Sequence, residues 1–329
     1  MRATITSVAH YVPPTVLDNA YFAKYLDTTD EWILTRTGIS ERRIAKEGAT
    51  SDLIVPAAKE CIEKRGITAN DIDCIIVATV TPDHSFPATA ALVQHKIGAN
   101  NAWGFDLSAA CSGFLFSFIT ACKLVESGAA KRLLLCGGDK MSSITDYEDR
   151  SQAMLFGDAG AAVLIEPSDD PDCGLIDYIA KIDGSGAPYL KMIAGGSAKP
   201  SSLETVQNKE HYLKQDGQTV FKAAVKAMAD CSVDIMKRNN LENKDVAWLV
   251  PHQANMRIIV ATAERMQLPK EQVMININKY GNTTAATIPM CLSEWNAAGK
   301  IKKADNVIMS SFGAGYTYGS VLLRWNANK

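Results

Sequence analysis

The chain has 329 residues, 47% hydrophobic and 21% charged. That is more than one ordinary domain needs, so two packed halves or one large α/β unit are expected around a well-buried core. With 34 basic against 36 acidic side chains the net charge is −2, which argues against nucleic acid or a membrane surface as the main partner and leaves room only for a local basic patch.

The eight cysteines form no CxxC pair and no metal-ligand spacing, and most sit in apolar stretches. That is the usage of reduced thiols in a cytoplasmic protein, with no metal site expected. Met1 to Pro13 lack a charged start followed by an apolar block, so no signal peptide is expected. No apolar run approaches the roughly 20 residues of a membrane span.

In chain order, Ser51 to Arg65 reads as a helix, Cys74–Ala78 as a buried strand and Thr89 to Ile97 as a helix. The run Asp106-Leu-Ser-Ala-Ala-Cys-Ser-Gly-Phe114 follows, leading into an apolar helix over Phe114 to Ser127. Arg132–Cys136 is predicted as a strand closed by Gly137-Gly138, and Ala161–Ile165 as another. The polar, Gly- and Ser-bearing stretch from Gly184 to Gly217 is predicted as an irregular insertion. Val220 to Arg238 and Met256 to Met266 read as helices. Trp248–Val250, Asn306–Met309 and Ser320–Arg324 read as strands. The alternation predicts an α/β architecture.

Two stretches repeat. Gly66-Ile-Thr-Ala-Asn-Asp-Ile72 aligns with Asn240-Leu-Glu-Asn-Lys-Asp-Val246 at an offset of 174, and Cys111 to Gly128 aligns with Asn282 to Gly299 at 171. The pattern suggests one fold unit used twice. On this alignment Asn282 takes the place in the second half that Cys111 takes in the first.

Three residues carry the candidate chemistry. Cys111 lies among small side chains at a helix start, where N–H groups and the helix dipole are expected to favour thiolate. Alone, such a cysteine is more often a buried structural thiol. His252 follows a short buried strand, at the strand end where α/β sheets place their sites, although a lone histidine is more often structural. Asn282 sits in a second turn of this kind, where an asparagine usually caps a helix. Ser311-Phe-Gly-Ala-Gly-Tyr316 is a turn able to offer backbone N–H groups to an oxyanion. Cys, His and Asn together fit a thiol hydrolase or a carbon–carbon condensing enzyme, and the duplicated layout favours the second.

The chain resembles the β-ketoacyl-[acyl-carrier-protein] synthase III family, the initiating condensing enzymes of type II fatty acid synthesis in the thiolase-like superfamily. The resemblance runs over nearly the whole length. It is carried by Trp32-Ile-Leu-Thr-Arg-Thr-Gly-Ile-Ser-Glu-Arg-Arg43, Asp106-Leu-Ser-Ala-Ala-Cys-Ser-Gly113, Phe156-Gly-Asp-Ala-Gly160, His252-Gln-Ala-Asn-Met-Arg257, Tyr280-Gly-Asn-Thr-Thr284 and Phe312-Gly-Ala-Gly315.

The resemblance implies a duplicated five-layer αβαβα thiolase-like fold. Residues 1–170 would be the half bearing the nucleophile. Residues 171–329 would bear His and Asn, with the insertion at about 184–217. Cys111 would take an acyl group from an acyl-CoA, with the N–H groups of Cys111 and Ala314 as oxyanion donors. His252 and Asn282 would hold the carbonyl of malonyl-acyl carrier protein and the enolate left by loss of CO₂. Trp32 and Arg150 resemble the pair that sandwiches the CoA adenine, and Arg36 the partner of a CoA phosphate. Gly217, Phe221 and Asn255 resemble the lining of the pantetheine tunnel. Phe86, Met141 and Phe156 are expected at the acyl pocket, Phe86 inserted by a homodimer partner. Lys222, Arg257 and Arg265 resemble a patch that docks the acidic carrier protein. Glu264 departs from the patch, and Lys226 lies one helical turn from Lys222. No cofactor or metal is implied.

The same residues weigh against most rival readings. A polyketide-priming ketosynthase shares the trio. A 3-hydroxy-3-methylglutaryl-CoA synthase needs a glutamate acid, a thiolase a second catalytic cysteine, and an elongating ketosynthase a second histidine. A catalytically dead scaffold typically loses the cysteine.

Overall fold

A computed structural model describes residues 2–326 of the chain. Met1 and residues 327–329, at the outer ends of the two expected halves, lie outside the described residues. Two sheets dominate. The first runs, from edge to edge, Trp103–Leu107, Cys74–Ala78, Leu133–Asp139, Ala159–Pro167 and Ala3–Tyr11. The first three strands are mutually parallel, and the last two join antiparallel. The second runs Trp248–Pro251, Asn306–Gly313, Thr317–Arg324 and Gly174–Ile182, again parallel at one end and antiparallel at the other. Among the described residues, the edge strand Trp103–Leu107 of the first sheet is matched in the second only by a single parallel bridge, Leu249 to Val273.

Between the sheets lie the helices Gly113–Glu126 and Thr287–Ala297, which pack on strands of both. The first of these reads GFLFSFITACKLVE, apolar almost all round, as a helix with a sheet on each side must be. Phe114, Phe118, Ile288 and Leu292 share one core there with Ile76, Leu135, Met309 and Val321 of the two sheets. Outside the first sheet lie Thr50–Arg65 and Thr89–Ile97, and outside the second Gly217–Arg238 and Met256–Arg265. The result is the five-layer αβαβα sandwich. Cys74–Ala78 and Leu133–Asp139 are buried along their whole length, as parallel strands covered on both faces are.

The structure corrects the repeat alignment. The 3₁₀ turns Ala110–Ser112 and Thr284–Ala286 correspond, and each opens with a residue at φ +50°. The helices they lead into begin at Gly113 and Thr287. The offset is therefore 174 here too, as it is between the 3₁₀ turns Ala69–Asp71 and Asn243–Asp245. Ala285, not Asn282, stands where Cys111 does. The offset of 171 came from aligning the closing glycines, Gly128 and Gly299. The central helix of the second half, 11 residues against 14, is three shorter, so the start and the end of the helix cannot both align.

Several strands are longer than expected, among them Ala159–Pro167, which extends two residues past each end of Ala161–Ile165. Leu133–Asp139 passes through Gly137 and Gly138, which do not close it. A Cβ on Gly137 would lie 2.7 Å from the Ala285 carbonyl oxygen, and one on Gly138 2.6 Å from Ile54. These glycines serve close approach rather than a chain break. Asn306–Gly313 runs four residues past Met309, and Thr317–Arg324 begins three residues before Ser320. The insertion is also more ordered than expected. It contains the helix Leu203–Gln207 and an antiparallel strand pair, Leu190–Met192 with Leu213–Gln215.

Candidate active site

Both halves contribute to one cavity of about 420 Å³ at the end of the central helices. Its walls include Cys111, His252, Asn282 and Ala314, which span 200 residues of sequence. Cys111 is half-buried in the turn Ala110–Ser112. That turn is tied to the second half by three hydrogen bonds. Ser311 Oγ donates to the Cys111 carbonyl at 2.8 Å, Thr317 Oγ1 to the Ala109 carbonyl at 2.8 Å, and Ser112 Oγ to the Thr317 carbonyl at 2.9 Å. Gly313 makes this approach possible, since a Cβ there would sit 2.7 Å from the Cys111 nitrogen and 2.9 Å from that of Ser112.

The surroundings of Cys111 work against the expectation that helix N–H groups favour thiolate. Burial pushes the thiol up to about 12, and the nearby Asp139 carboxylate pushes the same way. The Cys111 backbone N–H and the Asn282 carboxamide pull it only partly back. Desolvation of the anion is the largest of these influences and favours the neutral thiol at Cys111.

His252 is 1% exposed, and its Nδ1 lies 2.8 Å from Thr287 Oγ1. Its Nε2 is buried with no hydrogen-bond partner. Burial lowers its pKa to about 3, so the ring is neutral near pH 7 and suited to hydrogen bonding rather than to carrying charge. Asn282 is fixed by its backbone. Its N–H donates to the Leu155 carbonyl at 2.9 Å, and its carbonyl accepts from the Gly157 N–H at 3.1 Å. The carboxamide Oδ1 accepts from the Thr284 N–H at 2.9 Å, which leaves the Nδ2 group to donate toward Cys111. Gly157 and Gly281 permit this crossing, with a Cβ at either lying within 2.8 Å of a carbonyl oxygen.

Toward the outside the cavity is lined by Trp32, Arg36, Arg150, Gly217, Phe221 and Asn255. The Arg150 guanidinium lies 4.5 Å from the Trp32 ring centroid, and that of Arg36 lies 5.7 Å away. A base stacked between Trp32 and Arg150 therefore requires Arg150 to lift off the indole. Asn255 is already engaged, donating to the Arg36 carbonyl at 3.0 Å and accepting from the Arg257 N–H at 2.9 Å as a helix cap. Inward, Met141 and Phe156 form an apolar end with Leu213, Val80, Ile144 and Leu190. Leu190 and Leu213 come from the strand pair of the insertion, which the sequence showed only as an irregular stretch.

Phe86 does not line the cavity of its own chain and is 87% exposed. Lys222 and Lys226 lie exposed on Gly217–Arg238, and Arg257, Glu264 and Arg265 on the helix packed beside it, Met256–Arg265. Arg257 also stacks on Phe221, 4.7 Å from its centroid. Among the described residues no cluster of three His, Cys, Asp or Glu could hold a metal, and no helix is long and apolar enough to cross a membrane. Asp139, Thr284 and Thr287 were missed. Their roles are hidden in sequence because the contacts that join them, Thr284 to Asp139 and Thr287 to His252, link remote elements.

Two family models match the chain: 3-oxoacyl-[acyl-carrier-protein] synthase III over residues 105–184, and the C-terminal part of the same family over residues 236–325. The β-ketoacyl-[acyl-carrier-protein] synthase III of Chlorobium chlorochromatii is 55% identical over 328 residues, covering 99% of this chain and all of that one. The chain belongs to this family. The Koribacter versatilis protein of the same description is 53% identical, covering 98% of each chain. The crystal structure of the Aquifex aeolicus 3-oxoacyl-[acyl-carrier-protein] synthase III superposes with a TM-score of 0.90 at 39% identity, covering 98% of this chain and all of that one.

Proposed function

We propose that this chain, as a member of the synthase III family, condenses an acyl-CoA starter, acetyl-CoA first among them, with malonyl-acyl carrier protein. The product is a 3-oxoacyl-carrier protein, which opens type II fatty acid synthesis. The observation that carries the reading is the convergence of Cys111, His252, Asn282 and Ala314 on one cavity whose mouth carries Trp32, Arg36 and Arg150.

In the first half-reaction the Cys111 sulfur attacks the starter carbonyl and gives up its proton. The tetrahedral oxyanion is held by the N–H groups of Cys111 and Ala314. CoA leaves as the thiol and the acyl group stays on Cys111. In the second, His252 and Asn282 each donate a hydrogen bond to the malonyl thioester carbonyl. Loss of CO₂ puts the electron pair into an enolate whose charge falls on that oxygen. A donor so placed is typically worth about 10²–10³ in rate. The enolate carbon attacks the acyl carbonyl and Cys111 leaves with a proton. A neutral histidine fits this work, since it donates without adding a buried charge.

The proposal extends to the remaining roles. Trp32, Arg36 and Arg150 bind the CoA nucleotide, and Gly217, Phe221 and Asn255 flank the pantetheine. Met141 and Phe156 bound the acyl chain. Lys222, Arg257 and Arg265, with Lys226, meet the carrier protein. The protein works without metal or resident cofactor, as a cytoplasmic homodimer, and divides near residue 170 into its two halves.

The test separates the half-reactions. Cys111→Ala is expected to abolish transfer of labelled acetyl from acetyl-CoA while malonyl decarboxylation stays measurable. His252→Ala and Asn282→Ala are expected to spare acetylation of Cys111, read by mass spectrometry, and to lower CO₂ release about 10²- to 10³-fold. Loss of acetylation in His252→Ala as complete as in Cys111→Ala would overturn this division of labour.

A further inference from the structure

Thr284 and Thr287 stand between the groups that act on the malonyl carbonyl. Thr284 has φ +50°, a left-handed conformation that is rare for a β-branched residue. Its three polar groups go three ways. The N–H donates to Asn282 Oδ1 at 2.9 Å, the carbonyl oxygen lies 3.0 Å from Thr287 Oγ1, and the hydroxyl donates to Asp139 Oδ2. Asp139 is fully buried. It also accepts from the Thr79 and Thr81 hydroxyls and from the N–H groups of Val80 and Thr81, all within 3.1 Å. The Thr284 turn is thereby fixed to the first sheet.

Thr287 has one hydroxyl proton and two acceptors in reach, the Thr284 carbonyl and His252 Nδ1, 2.8 Å away. If the carbonyl takes the proton, Nδ1 must carry hydrogen and Nε2 is a bare lone pair. If the imidazole takes it, Nε2 carries the hydrogen. The hydrogen bond at one ring nitrogen sets the state of the other. Nε2 is the buried nitrogen without a partner, and His252 lines the cavity. Only the second arrangement gives a thioester oxygen a donor from His252.

We propose that Thr287 is the positioning residue for His252. Its hydroxyl donates to Nδ1 and holds the neutral ring in the Nε2–H tautomer. Thr284, anchored on Asp139, fixes the turn that holds the Asn282 carboxamide at one end and leads into the helix start at Thr287 at the other, so that both donors meet the same oxygen. The inference rests on His252 acting as a donor to the malonyl carbonyl.

The test compares Thr287→Val, which keeps the shape and loses the hydroxyl, with Thr287→Ser, which restores it. Thr287→Val is expected to lower CO₂ release from malonyl-acyl carrier protein about 10- to 100-fold, with acetylation of Cys111 by acetyl-CoA within about threefold of wild type. Thr287→Ser is expected to recover most of the loss. In ¹⁵N-histidine spectra of the unaltered protein, the His252 signals (those lost in His252→Gln) should show a protonated Nε2 and a bare Nδ1. A protonated Nδ1 in that spectrum would overturn the proposal without requiring any Thr287 variant to fold. So would normal CO₂ release in Thr287→Val where His252→Ala abolishes it, or a Thr287→Ser as impaired as Thr287→Val. Normal CO₂ release in His252→Ala itself would instead sink the donor reading, and this inference with it.

Discussion

His252 is where burial and titration meet most directly. No carboxylate raises its pKa, and desolvation alone brings it to about 3. In the unfolded chain a histidine titrates near 6.5. Above that pH neither state binds the proton and the group has no effect on the pH dependence of folding. As pH falls below it the unfolded chain gains a proton the native ring refuses, and native stability is lost progressively down to about pH 3. The limiting slope is about 1.4 kcal/mol per pH unit. Chemical denaturation of wild type between pH 7.5 and 5 should therefore show a decline that is shallower in His252→Gln, the difference growing from little above pH 6.5 to nearly this slope at pH 5. Parallel curves for the two proteins would show that His252 is protonated, or reachable by water, in the native state. Cys111 carries a related lesson. Its place at a helix start was plain in the sequence and pointed to a thiolate. The weight of desolvation was invisible there, because it depends on packing by Asp139 and the other half.

At the scale of elements, residue type and order were legible and distances between elements were not. The buried helices and the strands Cys74–Ala78 and Leu133–Asp139 followed from apolar runs and turn residues, the parallel strand Trp103–Leu107 did not, and Thr89–Ile97 matches its predicted span. Gly137 and Gly138 were taken for a strand end, because a sequence does not show that another backbone passes within contact of them. The same reason hid the purpose of Gly313. Its missing side chain lets the strand Asn306–Gly313 lie against the Cys111 turn, where Ser311 and Thr317 stitch the two halves. Gly313→Ala should push that strand away by forcing apart a contact of 2.7 Å. Overpacking of this kind costs about 1–3 kcal/mol, so the protein should still fold with a lowered melting temperature. Displacing Ala314 from its proposed place as an oxyanion donor should slow acetylation of Cys111 about 10²-fold. A variant that melts early but acetylates at the wild-type rate would separate the stitch from the oxyanion site.

For the whole molecule, the duplication was legible but its register was not, since glycine-to-glycine matching hid a central helix three residues shorter in the second half. The correct register also exposes an asymmetry. The first sheet ends at the full strand Trp103–Leu107, whose second edge pairs with no strand among the described residues, whereas the second sheet has there, among the same residues, only a single bridge. The free edge has none of the usual guards of lysine or proline along its length and presents Trp103, 48% exposed. Phe86, on the loop before the helix Thr89–Ile97, is almost wholly exposed. Exposed sheet edges bearing large apolar side chains invite pairing with another chain, and a second copy related by a twofold axis would cover both edges at once. A homodimer is therefore the expected state at micromolar concentration by sedimentation. Trp103→Glu would place like charges across the axis and should shift the protein toward monomer without unfolding it, because the side chain is half outside the core. If the dimer survives that change but is lost in Phe86→Glu, the contact lies on the Phe86 loop and not along the strand. A wild-type protein that sediments as a monomer would remove the partner's Phe86 from the acyl pocket, leaving Met141, Phe156 and the insertion's Leu190 and Leu213 to bound the starter by themselves.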